Sequence, residues 1–322
     1  MKTAWVIGGG GLLGTALRQS LHRQGAALFI PQTRLVWPDP SVLFAQLEAA
    51  VQSFAAQAAQ NAGWEIYWAA GVGSMGSVAS TLALETKALS TVLLAIEHSP
   101  TLLGRPGKIV FSSSAGAIYA GSRDRIITES SAAAPTTPYA MEKLKQEGLI
   151  AAFSLSNPLC GALVARLSTV YGPGQAAGKQ QGLLTHIARR IVRNQLIQIY
   201  VPFDTIRDYI AVADAANAVV CATSTLQARA APLVKIFASE QPTTIAEIIS
   251  IFRRTSRRSP RIVTSASRQS ALYSRRMLFR SEIETPQPDI PATRLPVGIA
   301  RLLALERSAF AGVNTGLARI GV

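Results

Sequence analysis

Cysteine and histidine are scarce in this chain of 322 residues, which has two of the former and three of the latter. Cys160 and Cys221 form no CxxC motif, so neither a disulfide framework nor a zinc-ribbon site is expected. His22, His98 and His186 have no metal-ligand spacing either. We therefore expect a protein without a metal, folded in a reducing, cytoplasmic compartment.

Acidic residues are also few, with 18 Asp and Glu against 32 Lys and Arg, a formal net charge of +14. Residues 248–281 contain no acid at all. The nine arginines of this stretch are Arg253, Arg254, Arg257, Arg258, Arg261, Arg268, Arg275, Arg276 and Arg280. Such a balance is typical of a solvated basic surface, of a nucleic-acid site, or of a site for a diphosphate substrate. We favour the solvated surface and expect no nucleic-acid partner, because no nucleic-acid-binding spacing accompanies the arginines.

Long apolar runs are missing although 48% of the residues are hydrophobic. No stretch reaches the roughly 18 apolar residues that a membrane-spanning helix needs. The apolar segment near the N-terminus is interrupted by glycines from Gly8 onward, which is unlike a signal peptide. We therefore expect a globular protein with no membrane partner.

What the chain does contain is an alternation of apolar strand-like runs with helix-like segments. Continuous apolar strands separated by helices predict a parallel sheet that is covered on both faces, a doubly wound α/β fold of the Rossmann type. After about residue 172 the alternation becomes less regular. We predict a dinucleotide-binding domain over residues 1–171, to which 205–240 returns, and a smaller substrate-binding region over 172–204 and 241–322.

A glycine-rich segment, VIGGGGLLGTAL, follows the first predicted strand. It fits two phosphate-loop spacings, Gly9-x-Gly11-x-x-Gly14 and Gly8-x-x-Gly11-x-x-Gly14. In both, missing side chains permit a sharp turn and a close approach of pyrophosphate to the N-terminus of the next helix. The segment therefore predicts a dinucleotide site.

An acid is missing after the second predicted strand, where NAD-binding proteins place Asp or Glu against the ribose hydroxyls. Arg34 stands there instead, and a cation at this position suits the 2′-phosphate of NADP. Asp39 is the nearest acid that could take the missing role. We expect NADP as the cofactor, with NAD as the alternative.

Tyr139 and Lys143 are spaced four residues apart in a predicted helix, so that both side chains lie on one face. An ammonium group beside a phenol stabilises the phenolate, and we therefore expect a lowered pKa for Tyr139 and general acid/base chemistry. A serine run precedes this helix at the end of a predicted strand. Alternation along the strand places Ser112 and Ser114 on one face and Ser113 on the other.

Six segments in this order resemble the extended short-chain dehydrogenase/reductases, also called the NAD-dependent epimerase/dehydratase family. The resemblance spans nearly the whole chain. The segments are VIGGGGLLGTAL, YWAAGV, VFSSSAGAIYAG, PYAMEK, ARLSTVYGPGQ and TIRDYIAVADAANAVV.

The resemblance implies a role for each matching residue. Tyr139 would be the catalytic acid/base, and Lys143 its partner, which also holds the nicotinamide ribose. Ser114 would orient the substrate, with Ser113 as the alternative. The residues implied in cofactor binding are Gly8, Gly11, Leu12, Leu13 and Gly14 at the phosphate loop, and Ala69, Ala70 and Gly71 after a later strand.

Arg207 matches a position that often meets the phosphate of a nucleotide sugar, and the competing interpretation is a salt bridge with Asp204 or Asp208. The sequence also departs from the family pattern. Ser168 and Thr169 stand where sugar-nucleotide epimerases often have Asn, and the region between Arg34 and Trp64 is short. The stretch AGAIY lacks the acidic pair of the family's dehydratases, which disfavours elimination chemistry.

The expected function is therefore that of an NAD(P)-dependent reductase or epimerase acting on a sugar, with a nucleotide sugar favoured. The alternatives are a reductase of a non-sugar carbonyl compound and a non-catalytic NADP-binding regulator. Family members often dimerise through paired helices, so we expect a homodimer through the segment STLALETKALSTVLLAIEHS and the helix that carries Tyr139.

Overall fold

The computed structural model describes residues 1–71, 73, 77, 79–174, 182–265 and 274–318, with side chains as far as Ala311. Its main sheet has six strands, all of them parallel. The strands of the fold are β1 (Lys2–Ile7), β2 (Ala27–Phe29), β3 (Gly63–Trp68), β4 (Gly107–Ser114), β5 (Cys160–Leu167), β6 (Thr169–Tyr171), β7 (Ile197–Ile199), β8 (Ile206–Ala211), β9 (Leu233–Phe237), β10 (Pro242–Thr244) and β11 (Ile262–Thr264). The main sheet has the order β2-β1-β3-β4-β5-β9, and the prediction of a doubly wound α/β fold is confirmed.

Helices cover both faces of this sheet. They are α1 (Leu12–Arg23), α2 (Pro40–Ala58), α3 (Ala79–Glu97), α4 (Pro100–Leu103), α5 (Ala115–Ile118), α6 (Pro138–Ser156), α7 (Leu183–Val192), α8 (Val212–Ser224), α9 (Ile245–Ser256) and α10 (Leu295–Ala318). One core lies between the sheet and α2, α3 and α6, and the other between the sheet and α1 and α8. Because both faces are covered, β1 is buried from Thr3 to Ile7 and its sequence is apolar without alternation.

The connection from β2 to β3 consists of the single helix α2, and β2 forms the end of the sheet. Asp39 is the N-cap of α2 and accepts hydrogen bonds from the backbone amides of Ser41 and Val42, at 3.1 and 3.3 Å. Its carboxylate therefore has a structural role at the start of a helix.

The C-terminal region is built from α7, α9, α10 and two small sheets, one of order β10-β8-β6 and one that pairs β11 with β7. A third apolar core joins the three helices. The spacing Thr244-x-x-Glu247 forms a capping box at the start of α9. α10 is a finding of the structure, since the sequence predicts only a less regular region after about residue 172.

Among the described residues, one helix, Ala79–Glu97, is long and apolar enough by length and composition to cross a membrane. Seven of its side chains, Leu82, Glu85, Ala88, Leu89, Val92, Leu93 and Ile96, are buried in the protein. Since core helices of globular proteins pass the same test, this helix is explained by its packing on the sheet.

Candidate active site

The strand order of the main sheet reverses at β1. β2 lies on one side of β1, and the later strands of this sheet, β3, β4, β5 and β9, lie on the other side. In an open parallel sheet, such a switch point leaves a crevice at the carboxyl ends of the two strands. Gly8 follows β1 there, and Ala69 follows β3, with the Ala69 amide donating to the Ile7 carbonyl at 2.9 Å. The phosphate-loop segment and the segment after β3 therefore meet at the crevice, as the predicted roles require.

At two positions of the loop, a side chain would clash with neighbouring backbone atoms, so only glycine fits. Gly8 has φ +87°, and a Cβ on it would lie 2.5 Å from the Ala70 backbone nitrogen. A Cβ on Gly14 would lie 2.1 Å from the Gly8 carbonyl oxygen, so α1 can pack this close only with glycine there. These contacts match the spacing Gly8-x-x-Gly11-x-x-Gly14, with Gly11 as the N-cap of α1.

The outer side of the loop is open, since a Cβ built on Gly10 would meet no heavy atom within 4 Å. Free space thus lies before the N-terminus of α1, whose first backbone N–H groups favour an anion. Leu12 and Leu13 begin this helix and lie partly buried against the core. The loop residues therefore fit the pyrophosphate of a dinucleotide.

One arginine lies in the segment after β2 and another lies against the loop. Arg34 is exposed in the segment that follows β2, at the same sheet edge, and its carbonyl accepts a hydrogen bond from Gln46 at 3.3 Å. Arg18 of α1 lies over the loop, where a Cβ on Gly9 would come within 2.8 Å of the Arg18 Cδ. The sequence analysis missed Arg18, although its place one helical turn after Gly14 was visible.

Ser114, Tyr139 and Lys143 lie together at the carboxyl end of β4. Pro138 occupies the first turn of α6 and Thr137 caps it, which places Tyr139 at the start of the helix. The Tyr139 and Ser114 side chains are hydrogen-bonded to each other. The Lys143 Nζ lies 5.9 Å from the centroid of the Tyr139 ring and donates to the Ser112 carbonyl at 3.5 Å.

The pKa of Tyr139 differs from the prediction, which was wrong in direction. Burial raises the pKa of Tyr139 to about 12 and the charge of Glu85 adds to the rise, while the hydrogen bond with Ser114 acts against it. Burial also lowers the pKa of Lys143 to about 8, although Glu85 and Glu147 favour its charged form. The sequence prediction considered only the ammonium group, and it could not foresee burial or a carboxylate from another helix.

Glu85 of α3 is a component of the site that the sequence analysis did not identify. Its carboxylate is 3% exposed and accepts a hydrogen bond from the Gly73 backbone N–H at 2.7 Å. A Cβ on Gly71 would lie 3.0 Å from the same carboxylate, and a Cβ on Gly73 would lie 3.3 Å from the Tyr139 ring. Glu85 therefore connects the segment after β3, which contains Ala70 and Gly71, with the tyrosine.

A buried polar network lies on the other side of Lys143. Glu147, one turn further along α6, accepts a hydrogen bond from Ser113 at 2.6 Å and is paired with Arg166 of β5 at 2.7 Å. Arg166 also donates to the Tyr119 hydroxyl, at 2.5 Å. Because its hydroxyl donates to Glu147, Ser113 faces this network, whereas Ser114 faces Tyr139.

Arg207 lies in β8, in the C-terminal region, and donates to the Ile206 carbonyl at 2.8 Å. Asp204 and Asp208, the two salt-bridge partners considered for Arg207, both contact other residues. Asp204 is paired with Arg275, and buried Asp208 accepts hydrogen bonds from Ser168, Ser239 and Gln241. Ser168, at a position where the family often has Asn, thus contributes to holding β8 beside β6.

The arginine-rich stretch is divided in the structure. Arg253, Arg254, Arg257 and Arg258 surround a concave surface at the end of α9, whereas Arg275 lies beside β8 and is paired with Asp204. Arg268 lies outside the described residues. Arg275 is therefore engaged in an ion pair, and the four arginines at the end of α9 form a separate group among the described residues.

A parallel sheet with a glycine loop at its switch point and a serine, tyrosine and lysine at its edge defines a dinucleotide-binding protein of the short-chain dehydrogenase/reductase type. The model of the NAD dependent epimerase/dehydratase family matches residues 4–234, and the chain belongs to this family. The family resemblance seen in the sequence is thereby confirmed.

Similar proteins include a dTDP-4-dehydro-6-deoxyglucose reductase of Escherichia coli, 30% identical over 115 residues, which are 35% of this chain and 35% of the relative. The matched segment thus spans about a third of the length of each of the curated relatives.

Solved structures are similar over a much longer part of the chain. The UDP-glucose 4-epimerase of Thermus thermophilus, in complex with NAD, has a TM-score of 0.76 and 19% identity, covering 96% of this chain and 100% of the other. The structure of RMD from Pseudomonas aeruginosa, complexed with NADPH, has a TM-score of 0.74 and 20% identity over the same shares. At this level of identity the likeness shows the fold.

Proposed function

We propose that this protein is an NADP-dependent reductase or epimerase that acts on a nucleotide sugar, with Tyr139 as the catalytic acid/base. The observation that carries the proposal is the grouping of Tyr139, Ser114 and Lys143 at the carboxyl end of β4, beside the switch-point crevice. Family membership supports nicotinamide chemistry. Of the relatives named above, one is a reductase of a dTDP-linked sugar, and RMD is complexed with NADPH.

A bound nicotinamide cofactor would supply the hydride. Gly8, Gly11 and Gly14 would hold its pyrophosphate at the start of α1, and Ala69 and Ala70 would lie along it. The Lys143 ammonium would hold the nicotinamide ribose. Arg34, exposed after β2, and Arg18, which lies over the loop, favour a cofactor with an additional phosphate.

Tyr139 would donate its proton to the substrate oxygen during reduction. A phenol with a pKa of about 12 is protonated at neutral pH, which suits a proton donor. Ser114 would hydrogen-bond the same oxygen and fix its position relative to the phenol. Among the two reactions proposed, this protonation state favours reduction of a keto sugar.

The phosphate of the nucleotide sugar would be bound by Arg207, which lies partly exposed in β8. β8 pairs in parallel with β6, and β6 follows directly on β5. This connection brings Arg207 toward the carboxyl edge of the main sheet, where a parallel α/β sheet binds its ligands.

Tyr139→Phe is the decisive variant. We expect turnover to fall by about 10²- to 10⁴-fold, because only the proton donor is lost. NADPH should still raise the melting temperature of the variant as it does that of the wild type. The substrates are a panel of UDP-, GDP-, CDP- and dTDP-linked sugars and keto sugars.

Net consumption of NADPH in step with product indicates a reductase, and a new sugar epimer without net consumption indicates an epimerase. A wild-type protein stabilised by neither NADPH nor NADH would contradict the proposal. So would a Tyr139→Phe variant with unchanged turnover.

We also propose a homodimer through α3 and α6. Leu94 on α3 and Met141 and Leu155 on α6 are 50%, 52% and 70% exposed, and these two helices pack against each other, so a partner copy could cover all three side chains. Leu94→Glu together with Leu155→Glu should convert a dimer to a monomer in analytical ultracentrifugation. A monomeric wild type would contradict this assignment.

A further inference from the structure

Four exposed arginines form a concave basic surface at the end of α9, which we call the arginine groove. Its cavity of about 500 Å³ is lined by Arg253, Arg254, Arg257 and Arg258, with Ser250 and Ser259. No acid occurs between Glu247 and Glu282. Since the described contacts give these four side chains no carboxylate partner, the groove presents a concentrated positive charge to solvent.

The groove lies at the end of the C-terminal region where α7 and α9 both terminate, side by side. β7 follows α7, β11 follows α9, and these two strands pair in parallel from Ile197 and Ile262. The Arg258 side chain also reaches the Ile191 carbonyl at the end of α7, at 3.4 Å. Arg193 lies exposed at this end as well.

α10 passes this end of the region and continues beyond it. Its Glu306 is paired with Arg189 near the end of α7, at 3.1 Å. Ile299, Leu302 and Leu303 are buried before that point, but every residue from 307 to 311 is exposed, including Phe310 at 36%. The twelve residues from 307 to 318 extend the helix by about 18 Å past the ion pair.

The side chains described past the ion pair, at residues 307–311, are exposed, and a helical extension that packs on nothing is only marginally stable in water. Residues 307–322 include eight apolar residues and two arginines but no acid. Two exposed apolar side chains on this helix, Leu305 and Phe310, lie toward the same end of the region as the groove of arginines. Together they have the two features of a segment that binds a membrane surface, which are apolar side chains for the acyl boundary and cations for anionic headgroups.

We propose that the arginine groove and residues 305–311 of α10 bind the surface of an anionic lipid bilayer. This attachment lies on the surface and does not span the membrane. It therefore differs from the sequence expectation of no membrane contact, which considered only spanning segments and signal peptides. It is independent of the proposed catalytic function, because none of its residues belongs to the active site.

A lipid surface fits the observations better than a nucleic acid. A phosphate backbone would neutralise Arg253 and Arg257, but it would leave Leu305 and Phe310 exposed to water. The bilayer interface accommodates both kinds of side chain at once. A second copy of this chain would cover the apolar side chains but would place two basic surfaces together.

The test is co-sedimentation of the full-length protein with vesicles of phosphatidylcholine alone and of phosphatidylcholine mixed with phosphatidylglycerol. We expect binding to the mixed vesicles only, weakening as salt is added. Arg253→Glu with Arg257→Glu should weaken binding by at least about tenfold, because each cation near such a surface contributes substantially to affinity. Leu305→Ser with Phe310→Ser should weaken it as well.

Arg123→Glu with Arg125→Glu is the matched control, since it changes the net charge equally at two exposed arginines elsewhere. This control should bind vesicles nearly as the wild type does, and all variants should keep the wild-type circular dichroism spectrum. Equal loss of binding in control and groove variants would overturn the proposal, as would binding to neutral vesicles alone or no binding at low salt. Duplex DNA that displaces the protein from vesicles through the groove arginines, or a dimer that only Phe310→Ser dissociates, would also overturn it.

Discussion

The charged side chains around Tyr139 and Lys143, namely Glu85, Glu147 and Arg166, differ from those of the arginine groove in burial and in pairing. Glu147 and Arg166 are 9% and 11% exposed and paired at 2.7 Å, and Glu85 is buried beside Tyr139 and Lys143. The groove arginines are exposed, and no salt bridge among the described residues includes them. The buried charges therefore contribute to the stability of the fold and to the pKa values of Tyr139 and Lys143, whereas the exposed arginines are available for binding partners.

Glu147→Leu should have the largest effect on stability, because it leaves Arg166 charged and unpaired inside the protein. We expect the free energy of unfolding to fall by about 3–5 kcal/mol, measured by urea denaturation. The double variant Glu147→Leu with Arg166→Met is the control, and it should be distinctly more stable than the single variant. Equal stabilities would mean that the pair is not isolated from water.

Arg34→Glu tests whether an exposed charge serves binding and not stability. If Arg34 contacts the 2′-phosphate, the Kd for NADPH should rise by about tenfold or more while the Kd for NADH stays nearly constant. Fluorescence titration measures both constants. Arg229→Glu, an exposed arginine in the connection between α8 and β9, is the matched control and should leave the ratio of the two constants unchanged.

Glu85→Gln tests the buried charge next to the tyrosine. The Glu85 carboxylate raises the pKa of both Tyr139 and Lys143, so the amide should lower both, while its oxygen can still accept the Gly73 N–H. Loss of the Lys143 charge above pH 8 should define the alkaline limb of the activity profile, and we expect this limb to move to lower pH by on the order of one unit. Glu97→Gln on the same helix, whose carboxylate contacts Asn157, is the control and should leave the profile unmoved.

The pKa of Lys143 also predicts how stability depends on pH. Its value in the folded protein, about 8, is below the ordinary 10.5, so between these values the unfolded chain binds more protons. This lysine therefore opposes folding fully below pH 8, and its cost decreases as the pH rises toward 10.5. In the wild type, this effect should make the free energy of unfolding rise between pH 8 and pH 10.5. Lys143→Met should lack this contribution, which urea denaturation at the two pH values would measure.

Asp204→Ala should have the smallest effect. Its pair with Arg275 joins side chains that are 59% and 65% exposed, and such pairs contribute little because water screens them. We expect no resolved change in melting temperature. A loss comparable to that of Glu147→Leu would show that exposure is a poor guide to the energetic weight of an ion pair here.

The sequence was sufficient to predict the parallel sheet, the phosphate loop and the Tyr139–Lys143 helix, because these depend on local patterns of apolar residues, glycine and residue spacing. Contacts between distant segments were not accessible in this way. Glu85 lies 54 residues before Tyr139, and nothing in its own helix marks it as part of a site. The direction of the Tyr139 pKa was therefore mispredicted, since it depends on that carboxylate and on burial.

α10 was missed for a related reason. Its early residues pack on α7 and α9, whereas the side chains at residues 307–311, just after Glu306, are exposed, so no regular apolar stripe marks the whole helix. Arg18 could have been found, because it follows Gly14 by one turn of α1. The shortness of the region before Trp64 was recognised, and the structure shows its form, a single helix between β2 and β3.

That short connection also affects how the sheet meets other molecules. β2 has only three residues, and in the part of the chain that is described no further strand pairs with its outer side. A long, flat edge of unpaired backbone groups would be a template for another chain to add a strand, and very short edge strands are one way in which proteins avoid this. By ending its sheet on a strand of three residues, this protein offers little backbone for edge-to-edge aggregation.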